Sequence, residues 1–185
     1  KLQISNGRSL REQMIETAQK FWPVSEITYY GFDLFEEMTK ELITKEVIGE
    51  AQKLRVLPSM EEVRKKLIKT GAKINLFKGN TLKVLPEVIH SLPKMDFIFI
   101  DGGHSIETIT NDWHHSQQLM VKNTVVIFDD YYFNKDDIGA KTVIEKIDRN
   151  QFYVKILPIK DQFNNKSSLL SINFVMVKRC TKKIN

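Results

Sequence analysis

The sequence is short of cysteine, having only Cys180 among its 185 residues. That excludes an internal disulfide framework and leads us to expect a reducing, cytoplasmic setting. No apolar run approaches the ~20 residues of a membrane span. The start carries no signal-peptide pattern, so no membrane association is expected. The chain opens on Lys1 and not on methionine, and a preceding segment is expected. There is no internal repeat, no low-complexity tract and no linker. The G-x-G-x-x-G fingerprint of nicotinamide cofactor binding is absent after the first apolar run, which argues against a dehydrogenase.

What remains is an ordinary globular composition, 42% hydrophobic and 28% charged. The length suits one domain spanning residues 1–185. The net charge of +5 permits an anionic ligand or RNA. The basic residues are scattered, however, and the densest groups, Arg64-Lys65-Lys66 and Lys178-Arg179 with Lys182-Lys183, read as solvated surface.

Apolar periodicity alternates between β-like and helical. Leu2–Ile4 reads as the end of a first strand, and Leu10, Met14, Ala18 and Phe21 have helical spacing, closed by Trp22-Pro23. "ITYYGFD" (27–33) is strand-like, and a long polar connection follows from Leu34 to Pro58. Ser59 and Glu62 form a capping box for "MEEVRKKLIKT", with Gly71 placed to end that helix. "INLF" (74–77) is a third strand, "LKVLPEVIHSL" a helix broken by Pro86, and "MDFIFID" (95–101) a strand covered on both faces. A helix is expected from Ser105 to Met120, and "TVVIFDD" (124–130) is again a buried strand ending in acids. "AKTVIEKIDR" (140–149) is helical, and "FYVKILPI" and "LLSINFVMVK" form a terminal antiparallel pair across a loop at Asn164–Ser168. Alternating strands and helices predict an α/β, doubly wound, mostly parallel sheet.

Ligands of such sheets bind beyond the carboxyl ends of the strands. The charged strand ends are Asp33, Asp101 and the pair Asp129-Asp130, and Gly79-Asn80-Thr81 follows strand three in the equivalent place. An acid just after a strand is often only a helix cap, and for Asp33 that reading competes with ribose binding. Asp101, Asp129 and Asp130 together would repel one another, and a cation between them would remove the cost. Three carboxylates with no cysteine nearby suit a hard cation, Mg²⁺ first. His104 follows Asp101 across Gly102-Gly103, which lets the backbone turn and approach a ligand, and is a candidate general base. His90, His114 and His115 are expected at the solvent side or in packing, and Tyr29-Tyr30 and Tyr131-Tyr132 mainly in the core or its rim; the second pair directly follows the acids, which places one of the two to line a substrate pocket.

The segments "YYGFDLFEEM", "PSMEEVRKKLIKTG", "LFKGNTLKVLP", "FIFIDGGHSIET" and "VVIFDDYY…GAKTVIEKI" resemble, in this order, class I S-adenosylmethionine-dependent methyltransferases. More narrowly they resemble the metal-dependent sugar and macrolide O-methyltransferases, such as macrocin O-methyltransferase, and the cephamycin-pathway enzyme. The likeness runs from about Ile4 to Lys178. It implies a Rossmann-like seven-stranded sheet whose last strand is antiparallel. It also implies that Asn6-Gly7-Arg8-Ser9 cradle the methionine end of the cofactor and that Asp33 holds the ribose. Asn80, with Thr81, would lie near the adenine, and Asp101 and Gly102 would border the cofactor. Asp101, Asp129 and Asp130 match the metal ligands, and His104 the base. The implied reaction is methylation of a hydroxyl on a small molecule or sugar, with Mg²⁺ and a nearby imidazole making a weak acid nucleophilic. A vicinal diol would suit the ion best. Relatives often self-associate, so the resemblance allows a homo-oligomer, while the sequence itself does not fix the oligomeric state.

The sequence departs from this family at the first loop, where Gln3 stands at the place of an acid and Gly7 is the single glycine. A degenerate loop would support a non-catalytic binding module instead. Asn123 replaces the usual glycine before strand five, a turn that asparagine tolerates. A nucleic-acid-directed enzyme would fit the positive charge, but enzymes of base amino groups carry Asn/Asp-Pro-Pro-aromatic where this chain has "DGGH".

Overall fold

The computed structural model describes residues 9–46, 57–165 and 168–180, with side chains described outside 159–170. The chain divides into two compact units. The first is Lys1–Thr39 with Leu54–Asn80, the second Lys40–Lys53 with Thr81–Asn185.

The first unit holds helices α1 (Leu10–Ala18) and α3 (Met60–Ile68) and strands β1 (Thr28–Asp33) and β2 (Lys73–Lys78). Ser59 accepts from the Glu62 N–H, and the Glu62 carboxylate accepts from the Ser59 N–H at 2.7 Å, so the capping box is formed as expected. Gly71, at φ +83, ends the helix in the left-handed conformation that glycine takes without penalty. β1 and β2 pair in parallel, Thr28 opposite Lys73 through Asp33 opposite Lys78. Phe32 stacks on Phe77 at 4.7 Å across the pair. Ile15, Phe35, Val63, Leu67 and Ala72 close the core beneath.

The second unit holds α2 (Lys40–Glu46), α4 (Thr81–Val88), β3 (Met95–Ile100), α5 (Ile106–Leu119), β4 (Met120–Tyr132), α6 (Lys141–Glu145), β5 (Phe152–Asn165) and β6 (Ser168–Arg179). Its sheet has the order β3-β4-β6-β5; β3 and β4 are parallel, and β6 is antiparallel to both neighbours. The final strand is therefore antiparallel, as expected. Trp113 anchors the core between Phe128 at 5.5 Å and Phe152 at 5.0 Å, above Val126, Val175 and Val177.

The fold is α/β and Rossmann-like, with corrections to the expected sheet. Among the described residues there are six strands, in sheets of two and four, and not seven; the expected strand at Leu2–Ile4 lies outside them. Among the described residues, β3 is not covered on both faces. It is the edge of its sheet among the described residues, and Phe97 is 49% exposed. Pro86 does not break α4, because one missing N–H is tolerated in a short helix that then tightens into a 3-10 turn at Ile89–Ser91. Asn123 makes no turn; it lies within β4 without positive φ. α6 is shorter than expected, because Asp148 accepts from the Asn150 N–H at 2.8 Å and starts a turn there.

Candidate active site

Two consecutive acids in a regular strand point to opposite faces of the sheet. β4 avoids this. Phe128 pairs with Val175 of β6 and Tyr131 with Asn173, so β4 carries one residue more than β6 between those pairs. This is a β-bulge, and Asp130 within it adopts φ +56. Aspartate tolerates that left-handed conformation better than most residues. The bulge re-aims the side chains, and Asp101, Asp129 and Asp130 each offer an oxygen within 4.8 Å of the others.

The second unit holds these groups under tension. The Asp129 carboxyl is pushed up to about 6, chiefly by burial and then by the charge of Asp130. It also accepts from the Asp130 N–H at 2.7 Å. Burial opposes ionisation of Asp130 as well, but the hydrogen bond and charge of His104 and the Tyr132 hydroxyl outweigh it and hold its carboxyl below the usual range. His104 Nε2 lies 2.7 Å from Asp130 Oδ2, and the Tyr132 hydroxyl donates to Oδ1 at 2.6 Å. Burial works against the imidazolium of His104. Asp130, and then the charges of Asp101 and Asp129, prevail and raise its pKa. His104 Nδ1 is buried and has no hydrogen-bond partner among the described residues.

Backbone contacts fix the two loops that meet here. The Gly139 N–H donates to the His104 carbonyl at 2.7 Å, and the Ala140 N–H to that of Asp130 at 2.9 Å. Gly139 has φ +84, and a Cβ there would overlap the Tyr132 ring and sit 2.5 Å from the Asp130 carbonyl oxygen. Only glycine fits. A Cβ on Gly102 would approach Asp112 Oδ2 at 3.2 Å. Asp112 is buried, with its pKa raised by that burial against hydrogen bonds from Thr81 and Asn111. Asn111 Nδ2 also donates to the Thr81 carbonyl at 3.1 Å, which ties the start of α4 to α5.

In the first unit, Asp33 ends β1 as the sequence indicates. Its Oδ1 accepts from the Phe35 N–H at 3.0 Å, and its Oδ2 pairs with the Arg11 guanidinium. A cavity of about 100 Å³ is lined there by Arg11, Asp33, Phe35, Leu57 and Pro58. Asn80 directly precedes α4, after Gly79, whose N–H donates to the Asp33 carbonyl at 3.0 Å. Ser9 caps α1 in a capping box with Glu12. Asn6, Gly7 and Arg8 lie outside the described residues.

Comparison with known proteins decides the family. The sequence matches the family described as methyltransferase domain over residues 13–131, more than half of the chain. The chain belongs to this methyltransferase family. Its fold is that of the class I S-adenosylmethionine-dependent enzymes. A solved O-methyltransferase of Streptomyces achromogenes, TomG, involved in tomaymycin synthesis and bound to S-adenosylmethionine, is 11% identical with a TM-score of 0.50. That likeness covers 91% of this chain and 79% of the other. A putative rRNA methylase of Clostridium thermocellum has a TM-score of 0.50 and 14% identity, covering 82% and 74%. An O-methyltransferase of Bacillus cereus in complex with S-adenosylhomocysteine has a TM-score of 0.48 and 12% identity, covering 95% and 94%. No curated protein matches.

For this methyltransferase, the structure brings together four of the residues singled out in the sequence, Asp101, His104, Asp129 and Asp130. Of those matched to the cofactor, Ser9, Asp33 and Asn80 fall in the first unit, and Thr81, Asp101 and Gly102 in the second. His90 and His114 are exposed, and His115 is held by its Asn111 contact at 2.9 Å. The sequence reading missed Tyr132 as the partner of Asp130 and Gly139 as the clamp. The glycine ahead of α6 was the one local signal for either of them. No helix among the described residues is long and apolar enough to cross a membrane.

Proposed function

We propose that this methyltransferase transfers a methyl group from S-adenosylmethionine to a hydroxyl of a small molecule or sugar, with His104 as general base and with Mg²⁺ held by Asp101, Asp129 and Asp130. The observation that carries the reading is the meeting of three carboxylates beside an imidazole whose Nδ1 is buried and has no partner among the described residues. The acids fit a hard divalent cation by donor type, and the Asp129 carboxyl is raised first by burial and then by the charge of Asp130, a cost that a cation would offset. When bound, Mg²⁺ would supply the positive charge that lowers the pKa of an acceptor hydroxyl. S-adenosylmethionine supplies a methyl group already activated on a sulfonium.

The chain's own residues then have defined tasks. Nε2–H of His104 donates to Asp130 Oδ2, which fixes the tautomer and leaves Nδ1 as the acceptor of the substrate proton. Asp130 stabilises the imidazolium so formed. Tyr132 holds Asp130 through its second oxygen. Calorimetric titration with S-adenosylmethionine, with and without Mg²⁺, tests the cofactor and the ion together. His104→Ala should abolish S-adenosylhomocysteine release across a panel of diols, catechols and sugars while cofactor affinity stays near wild type. Collapse of cofactor affinity in that variant would make His104 structural, and absence of any cofactor binding would leave a scaffold.

A nucleic-acid substrate is the second reading. Lys122, Asn123, Tyr153, Lys178, Arg179 and Cys180 line an open groove of about 590 Å³ in the second unit, where cations beside an exposed tyrosine suit a phosphate backbone and a stacked base. Salt-dependent binding of a single-stranded RNA oligonucleotide that Lys122→Glu weakens would favour it.

A further inference from the structure

Glu46, the last residue of α2, lies outside the acid cluster and outside every motif of the sequence. It is 6% exposed, and both of its oxygens are engaged. Oε2 accepts from the Ser105 N–H at 2.9 Å. Oε1 accepts from the Ser105 hydroxyl at 2.8 Å and from the Thr108 hydroxyl at 3.0 Å. Burying a carboxylate is costly unless its lone pairs are satisfied, so this placement is specific.

Capping of α5 does not explain it. Ser105 already serves as the N-cap, accepting from the Thr108 N–H at 3.2 Å. Glu46 also reaches the other side of the histidine, because a Cβ on Gly103 would overlap Oε2. One side chain thus packs on the residue before His104 and bonds the residue after it. The Gly139 N–H holds the carbonyl of His104 itself. The imidazole is carried on a backbone fixed on both flanks, and its distance to Asp130 depends on that backbone.

We infer that Glu46 is a positioning residue of the site. It fixes Gly103 and Ser105 so that the His104 ring meets Asp130 and keeps Nδ1 free for the substrate proton. This rests on the reading of His104 as the base. In ¹⁵N-histidine-labelled protein, long-range ¹H–¹⁵N correlations report the state of each imidazole, with His104 assigned through His104→Asn. Glu46→Ala should shift or broaden the His104 ring signals and leave those of His90, His114 and His115 unchanged. Glu46→Gln should restore the wild-type signals, since its carbonyl still accepts from the Ser105 N–H while its amide donates to the two hydroxyls. With an accepted substrate in hand, Glu46→Ala lowers kcat about ten- to a hundredfold at unchanged KM for S-adenosylmethionine. If Glu46→Ala does not fold, Gly103→Ala displaces the same carboxylate and should move the same signals. Unmoved His104 signals in a folded variant, with only a lower melting temperature, would overturn the assignment and leave Glu46 a helix anchor. Retained turnover in His104→Ala would instead sink the base reading, and the ring signals would still report on Glu46.

Discussion

Replacing Asp129 with asparagine should make the metal-free protein more stable at neutral pH. The unfolded chain releases this proton near 3.8, while the folded chain holds it to about 6. Between those values the native state binds more protons, so wild-type stability falls as pH rises through the window. The full shift corresponds to about 3 kcal/mol, a ceiling on the gain above pH 7. Asparagine is isosteric with the protonated acid and can still accept the Asp130 N–H seen at 2.7 Å. For a chain of this size, 3 kcal/mol raises Tm by about 6–12 °C. The gain should shrink to about half at pH 5, because the wild-type acid is then largely protonated. Thermal melts of both proteins with EDTA, at pH 7.5 and pH 5, measure it. No upward shift at pH 7.5, or one as large at pH 5, would refute the account of a strained cluster. With Mg²⁺ at ten times its Kd, wild type should gain about 1.4 kcal/mol and Asp129→Asn almost nothing.

Three further outcomes follow from the same geometry. Tyr132→Phe leaves one buried oxygen of Asp130 unpaired and should cost about 1.5–3 kcal/mol in denaturant unfolding. Gly139→Ala faces both a left-handed backbone and overlap with Tyr132; a loss above about 2 kcal/mol, with the Mg²⁺-induced rise in Tm abolished, is expected. Ser59→Ala breaks the α3 capping box at a cost of about 1 kcal/mol and should leave the response to Mg²⁺ unaltered, which separates general destabilisation from damage to the site.

Much of this was legible in the sequence for local reasons. Capping chemistry marks α3 through Ser59 and Glu62, and the runs that end at Asp33, Asp101 and Asp129-Asp130 mark strand tips, because hydrophobic patterning is a property of short windows. The site's finish was not legible, because it depends on residues far apart in the chain. A bulge is defined by the partner strand, so nothing around "FDDYY" shows that β6 leaves one residue of β4 over. Tyr132 reads as one more core aromatic until its hydroxyl meets Asp130. Glu46 sits in "KELITKE", where every charge suits a solvated helix; its burial comes from Ser105 and Thr108, some sixty positions on. That β3 is an edge among the described residues is equally a matter of pairing, which the apolar run "FIFI" does not encode.

The left-handed φ of Asp130 has an evolutionary corollary. Asparagine is more at ease in that conformation than most residues, and it would still accept from Tyr132. A chain drifting to asparagine at this position would keep the backbone turn and the Tyr132 contact, yet it would have surrendered the charge that pairs with the His104 ring.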